Sequence, residues 1–405
     1  MRITTVFRNL LAVTSMIVSA VELRSSGVVI YVRPRWRKPR CGVCGERVPG
    51  YDCKQSRRWR SIPFGRFSVL LAYAPRRVNC PRCGVRTEAL PWARHGTRFT
   101  KDFDEMVAYL AQITDKTTVT KLMGISWRAV GTVVERVVAD KLDPQRLDDL
   151  RRIGIDEFSY RKRHRYVTVV ADHDTARIVW AKEGKSAETL AAFFEELGPE
   201  RAAVIEHVTI DMAGSYIKAV TEHVPDAEIV FDRFHVQQLA SRAVDEVRRA
   251  QWRELKGTEE GKAIKGSRFA LLKNPWNLRL SERRRLREVQ RTNAPLYRAY
   301  LLKETLAKAL DYRQPKRARR TLDAWLAWAC RSRLEPFVKL SATIREHKES
   351  ILAYIKHRLT NGLVEGINAR TRMIARRAFG FHSAEALISM IQLCNGGIVL
   401  APPLP

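Results

Sequence analysis

Residue type and spacing suggest two metal chemistries in this chain. The first is thiolate. Cys41-Gly-Val-Cys44 and Cys80-Pro-Arg-Cys83 form two CxxC pairs. Each is a tight knuckle that aims two sulfurs at one point, and four thiolates make the closed tetrahedral site that Zn²⁺ prefers. One such pair fits a redox motif. Two pairs flanked by Gly42, Gly45, Pro81 and Gly84 fit a zinc ribbon. Cys53, Cys330 and Cys394 have no partner at metal spacing and read as ordinary thiols, Cys53 at most as a spare ligand. The second chemistry is carboxylate. Asp156 lies in RIGIDEFSY, Asp211 in VIEHVTIDMAG and Glu365 in NGLVEGINARTRMIARR. Taken singly, each reads as a turn or cap residue. Brought to one point, the three repel unless cations bridge them. Two Mg²⁺ (or Mn²⁺) ions would do so and would serve in-line displacement at phosphorus, one at the attacking and one at the leaving oxygen.

The elements that must position these groups can be read from periodicity. Strand-like runs such as Phe67–Tyr73 separate the cysteine pairs. Thr100 is a candidate N-cap for a helix whose Phe103, Val107, Leu110 and Ala111 share a face. Val119, Leu122 and Met123 form a second short face, which Gly124 breaks. Ser126 then caps a third helix with Val130, Val133, Val134 and Val137 inward. This is the pattern of a helix-turn-helix with Trp127–Val138 as recognition helix; a structural three-helix bundle fits it nearly as well. The basic module alongside favours DNA binding. In that role Arg128 suits base reading and Arg136 a phosphate contact.

From Ile153 the period changes. Strands are expected at Ile153–Asp156, Tyr166–Ala171 and Ile178–Lys182, then a helix at Ala187–Leu197 and a strand at Ala203–Ile210. A helix at Ser215–His223, a strand at Ile229–Asp232 and a helix from Val236 follow. That order predicts an RNase H-like mixed sheet, in which the first and fourth strands are neighbours. Asp156 and Asp211 would then meet at one sheet edge, and a helix across that edge would supply Glu365. Glu157 alternates to the opposite strand face and should point away from the metals. Asp172 and Asp174 read as turn residues, and His164 and His173 as solvated loop histidines. Trp276, Trp325 and Trp328 are expected to pack within a helical, Arg-rich stretch.

Charge narrows the class of partner. The chain has 405 residues, 45% of them apolar, and a formal net charge of +30. That length suits several domains, and that balance suits a polyanion better than a small metabolite. The charge comes in blocks. Residues 1–100 carry 20 Lys/Arg against 4 Asp/Glu, residues 153–240 carry 10 against 15, and residues 241–320 carry 23 against 9. Basic flanks suit phosphate backbones and an acidic centre suits divalent cations. No segment is long and apolar enough to span a membrane. Leu10–Val21 faintly mimics a signal peptide, but paired cysteines at metal spacing fit a reducing compartment, so a short helix before the strand Val28–Val32 is expected instead. The reading is cytoplasmic, nucleoid-associated and without a membrane. The tail APPLP is expected to be disordered.

The chain resembles DDE transposases of bacterial insertion sequences, specifically the ISL-three family. The resemblance is carried by CGVCG, RRVNCPRCG, LPWARHGTRFT, GISWRAVGTVVERVV, GIDEFSYRKRHRYVTVVAD, VTIDMAGSYIKAV, PDAEIVFDRFHV and NGLVEGINARTRMIARRAFGF, between about residues 40 and 385. It implies a multidomain α+β chain. Residues 1–95 would hold a zinc-ribbon-containing DNA-binding domain and 96–150 the helix-turn-helix. Residues 151–240 and 356–395 would form an RNase H-like catalytic core, with a helical insertion at 241–355. It places the catalytic acids at Asp156, Asp211 and Glu365, and an accessory Asp-x-x-His element at Asp232 and His235. A structural hydrogen-bonded pair at a strand-to-helix junction accounts for that element equally well. Arg372, Arg376 and Arg377 either reach phosphates beside the scissile bond or cover a helix face. The implied activity is Mg²⁺-dependent cleavage at the terminal inverted repeats of the chain's own element, with joining to target DNA. Synapsis of two ends implies a homodimer or higher oligomer. The alternative is a DNA-binding regulator derived from a transposase and catalytically inactive, which metal-dependent nicking would distinguish.

Overall fold

A computed structural model describes residues 2–11, 15–161, 165–212, 214–360, 362–378 and 380–401. His164 and residues 402–405 of the APPLP tail lie outside the described residues. The chain divides into two compact units, residues 1–143 with 376–405, and residues 144–375.

The first unit opens with helix α1 (Ile3–Leu11) and strands β1 (Met16–Arg24) and β2 (Gly27–Pro34). Of the Leu10–Val21 stretch, Leu10 and Leu11 close α1 and Met16 to Val21 belong to β1, while residues 12–14 lie outside the described residues. Met16 and Val18 of β1 and Val28, Ile30 and Val32 of β2, each spaced by two along its strand, all enter one core. Strands β3 (Gly50–Cys53), β4 (Arg57–Phe64), β5 (Phe67–Tyr73), β6 (Arg76–Cys80) and β7 (Gly84–Thr87) follow. They make two sheets. The first, in the order β1-β2-β5-β4, packs around Trp59 and Trp92, whose rings meet edge to face. The second, in the order β3-β6-β7, carries the cysteines beside Val48 and Val78.

Helices α2 (Lys101–Ile113), α3 (Lys116–Met123) and α4 (Trp127–Lys141) come next. Thr100, Asp115 and Ser126 cap them, each accepting from a backbone N–H three residues on. Gly124 ends α3 at φ 58°, a left-handed turn that glycine makes without penalty. Val119 and Met123 are buried as expected, but Leu122 is 63% exposed. A final helix, Ala384–Asn395, packs on α2 and α4.

The second unit is built on a five-stranded sheet: β8 (Arg152–Arg161), β9 (Arg165–Asp172), β10 (Arg177–Glu183), β11 (His207–Ile210) and β12 (Glu228–Phe231). Its order is β10-β9-β8-β11-β12, with the first three strands antiparallel and the last two parallel to β8. This is the order expected of an RNase H-like sheet. Helices α5 (Ala187–Leu197), α6 (Pro199–Ala202) and α7 (Gly214–His223) connect the strands. Strand β11 starts later than the expected Ala203, because Pro199 nucleates a helical turn first. After β12 the chain is helical: α8 (Arg233–Glu254), α9 (Glu259–Ile264), α10 (Arg268–Leu272), α11 (Leu280–Thr292), α12 (Ala294–Asp311), α13 (Pro315–Ala329), α14 (Glu335–Glu346), α15 (Lys348–His357) and α16 (Gly362–Arg377). Trp325 is buried there, its indole N–H donating to Leu302 O at 2.8 Å, and Trp328 packs against the same core. Trp276 does not pack: it is 70% exposed, on a single 3₁₀ turn that covers no core face.

Candidate functional site

The four cysteines converge as their spacing predicts. One sulfur from each of Cys41, Cys44, Cys80 and Cys83 lies within 4.8 Å of the others, and Cys44 Sγ is 3.6 Å from Cys80 Sγ. Ligands of a tetrahedral zinc at about 2.3 Å are separated by roughly 3.8 Å, so the donor set fits. The Val43 N–H donates to Cys41 Sγ at 3.5 Å. Against the upward push of burial, N–H groups of Cys44 and Val43 bring the Cys41 thiol down to about 7. Burial and the neighbouring sulfurs push Cys83 up to about 12. Four thiolates cannot share this space without a cation. Cys53 is exposed and outside the cluster.

Asp156, Asp211 and Asp232 lie toward the end of the five-stranded sheet where β11 and β12 finish, and Glu365 groups with Asp232 there. Asp156 lies midway along β8, on the face under α16. On that face Gly154 has no side chain because none fits: a Cβ there would lie 2.5 Å from Val364 Cγ2 and 2.9 Å from His173 Nε2. Helix α16 is thus seated directly on the strand. Asn368, fully buried on α16, donates from Nδ2 to Asp156 Oδ2 at 2.8 Å, and the Glu157 N–H donates to Asp156 Oδ1 at 2.8 Å. Burial raises the Asp156 carboxyl to about 6, with the Asp211 charge adding to the rise and His235 opposing it. Asp211 directly follows β11, which is parallel to β8.

Asp232 follows β12 and is 2% exposed. It sits at the head of α8, but its side chain makes no capping bond. His235 Nδ1 lies 3.7 Å from Asp232 Oδ2, is buried and has no hydrogen-bond partner. This is not a simple hydrogen-bonded pair. Donor atoms of Asp232, His235 and Glu365 all lie within 4.8 Å of one another. Burial and the Asp232 charge raise the Glu365 carboxyl. Among the described residues, Asp156 and Asp211 do not belong to that tight set. They are coupled to each other and reach it through His235.

Two neighbours differ from expectation. Glu157 alternates to the face of Ile153 and Ile155, but its carboxyl does not leave the site. Burial raises it to about 7, with Asp211 and Asp156 adding, and it lies beside Tyr216. His173 is not solvated: its Nε2 is 2.7 Å from Thr209 Oγ1. Asp172 and Asp174 do serve a turn, Asp172 accepting from the Asp174 and Thr175 N–H groups. Asn368 escaped sequence reading, although its i+3 spacing from Glu365 places both on one helix face.

On the helix-turn-helix, Arg128 is exposed near the start of α4. Arg136 is committed elsewhere. It donates to both Asp104 oxygens, at 3.1 and 3.0 Å, and to Thr97 Oγ1 at 2.9 Å. Asp104 is fully buried and also faces Arg94, so Arg136 neutralises an internal charge where a phosphate contact was expected. Arg372 and Arg376 are exposed along α16, whereas Arg377 donates to the carbonyls of Ile113 and Gln112 at the end of α2. Among the described residues, no helix is long and apolar enough to cross a membrane.

The sheet order, with acids at the edge of its central strands, is that of a DDE-type core, here combined in one chain with a helix-turn-helix and a four-cysteine module. Comparison with known proteins agrees. Residues 153–391 match the family model of the ISL3 transposase, and residues 88–138 match the helix-turn-helix domain of transposase family ISL3. Over 397 residues the chain is 42% identical to the transposase for insertion sequence element IS1557 of Mycobacterium tuberculosis, covering 91% of this chain and 89% of that protein. It is 33% identical over 372 residues to the transposase for insertion sequence element IS1001 of Bordetella parapertussis, covering 91% of each. The chain belongs to the ISL3 family of DDE transposases, enzymes that cut DNA and transfer its strands. DDE transposases use divalent metals, and the helix-turn-helix implies DNA binding.

Proposed function

We propose that this chain mobilises its own insertion sequence in the bacterial cytoplasm. It binds double-stranded DNA at the element's terminal inverted repeats, hydrolyses the phosphodiester at each end and joins the freed 3′-hydroxyl to target DNA. The observation that carries this reading is the set of acids from β8, the ends of β11 and β12, and α16 at one end of the sheet, with Asp232, His235 and Glu365 grouped tightly. Asp156, Asp211 and Glu365, with Asp232 and His235 alongside, would hold Mg²⁺ or Mn²⁺. Such ions supply charge neutralisation to the attacking and leaving oxygens at phosphorus. The chain's own residues prepare the ground. Asn368 orients the Asp156 carboxylate, and Gly154 lets the Glu365 helix approach β8. Glu365, Asn368, Arg372 and Arg376 follow one another at helical spacing, so the two arginines extend the site toward flanking phosphates. Arg128 reads base edges, and the cysteine cluster holds a structural Zn²⁺. Two ends must be paired, so the working form is a homodimer or higher oligomer. The test is to incubate purified protein with DNA carrying the element's ends, with and without Mg²⁺, and to map the cuts. Cuts at the repeat boundaries that require Mg²⁺ support the reading; DNA binding without cleavage overturns it.

A further inference from the structure

The same two parallel strands that end at Asp211 and Asp232 begin with another set of ligand-type residues. His207 is the first residue of β11 and Glu228 the first of β12, and the two are register partners. His357 is the last residue of α15, a helix packed on β12. The Nε2 atoms of both histidines face one carboxylate oxygen: Glu228 Oε2 is 2.7 Å from His357 Nε2 and 3.9 Å from His207 Nε2. The imidazole centroids are 4.1 Å apart and inclined at 59°, so the rings converge on the carboxylate and do not stack. His207 Nδ1 is buried and makes no hydrogen bond.

We infer that His207, Glu228 and His357 form a transition-metal site of the Zn²⁺ type, separate from both the cysteine cluster and the catalytic edge. A hydrogen bond from His357 uses the carboxylate once and leaves His207 facing it at 3.9 Å. A cation between the three groups uses all of them. Two ligands of a tetrahedral ion at about 2.0 Å lie roughly 3.3 Å apart, between the two separations observed. Two imidazoles and one carboxylate suit Zn²⁺, and an adjoining cavity of ≈ 350 Å³ has room for water as the fourth ligand. Lys356 Nζ, 3.2 Å from Glu228 Oε2, competes for the carboxylate, but its side chain is 61% exposed and can swing into solvent. Arg151 and Arg152 at the cavity rim are paired with Glu206 and Asp174.

Each strand has four residues, so this site lies roughly 13 Å from the acids at the far strand ends. It is not a further catalytic ion site. It joins the starts of two core strands to the helix end that precedes α16, and so fixes where the chain returns to deliver Glu365.

The test compares metal content in the full chain. After loading with Zn²⁺ and removal of free metal, His207→Ala and His357→Ala should each hold one equivalent less than wild type. Glu228→Gln, which preserves shape, should bind that equivalent about tenfold or more weakly. With Co²⁺ as the probe, the thiolate charge-transfer band should be unchanged in these variants, while a weaker signal without thiolate character disappears. Unchanged stoichiometry and affinity in both His207→Ala and Glu228→Gln, with wild-type circular dichroism, overturns the inference. Should His357→Ala fail to fold, the other two variants still decide it.

Discussion

The cysteine cluster and the carboxylate edge both crowd like charges, but they are built differently. The thiolates come from one small module, and all four donors lie within a single 4.8 Å group. The carboxylates come from β8, the ends of β11 and β12, and α16. Among the described residues at that end of the sheet, Asp232, His235 and Glu365 form so tight a group, with Asp156 and Asp211 coupled to it from the side. A structural ion is stable when its protein ligands saturate it; a catalytic ion must leave positions for substrate oxygens. On the function proposed above, the closed set would serve folding and the open set reaction.

The comparison breaks most visibly at the acids. Replacing Asp156, Asp211 or Glu365 with Ala should lower cleavage and strand transfer by at least roughly 10³-fold. DNA binding should persist, because removing a carboxylate only lessens repulsion of phosphate. Gel-shift and cleavage assays on the same preparations separate the two effects. Full activity in Glu365→Ala would end the assignment. The cysteines should behave the opposite way. A Ser in place of Cys41, Cys44, Cys80 or Cys83 should release zinc and unfold the N-terminal module while leaving the core folded. Elemental analysis and limited proteolysis check this; wild-type protein purified without chelator and lacking stoichiometric zinc would refute it.

Legibility in the sequence followed the same division. A CxxC knuckle is a local feature, so two of them announce their site directly. Asp156 and Asp211 could be placed because three consecutive strands followed by alternating helix and strand is the order of an RNase H-like sheet, in which the first and fourth strands are neighbours. Contacts between distant segments were not legible. Asn368 looks like any polar helix residue until α16 lies on Gly154. Arg136 looks like a free surface cation until Asp104, 32 positions earlier, is found buried against it. Glu157 was assigned to the correct strand face, but alternation says nothing of how far its charge reaches through a buried setting.

The two arginines of α4 sharpen the comparison within the DNA-binding half. Arg128→Ala should cost about 1–3 kcal/mol of discrimination at one base position of the terminal repeat and leave the fold intact. Arg136→Ala should leave the salt dependence of DNA binding unchanged but lower the stability of the N-terminal unit by about 1–3 kcal/mol, because Asp104 loses a charged partner in a buried position. Binding to wild-type and scrambled repeats across a salt series, together with thermal melts, measures both. A reduced salt slope in Arg136→Ala would restore the phosphate-contact reading.

The smallest effect concerns Asp156 without metal. Its carboxyl is raised to about 6 by burial, with Asp211 adding. The folded chain therefore holds this proton more tightly than the unfolded chain does. The resulting stabilisation is complete below the ordinary carboxylate range and is lost as pH rises through about 6. Asp156→Asn removes the charge responsible for that loss. The Glu157 N–H can still donate to the remaining carbonyl oxygen. The Asn368 amide can flip, because its Oδ1 has no hydrogen-bond partner and would accept from the introduced NH₂ group. In Mg²⁺-free buffer at pH 8 the variant should be more stable than wild type by on the order of 1–2 kcal/mol. At pH 4, where the wild-type carboxyl keeps its proton, the advantage should vanish. Adding Mg²⁺ at pH 8 should stabilise wild type more than the variant, since the cation neutralises a charge that only wild type carries. Thermal unfolding at the two pH values, with and without Mg²⁺, tests each part. A variant less stable than wild type at pH 8 without metal would mean that the Asp156 charge is already compensated within the fold, and that the carboxylate edge does not need a cation in the way the cysteine cluster does.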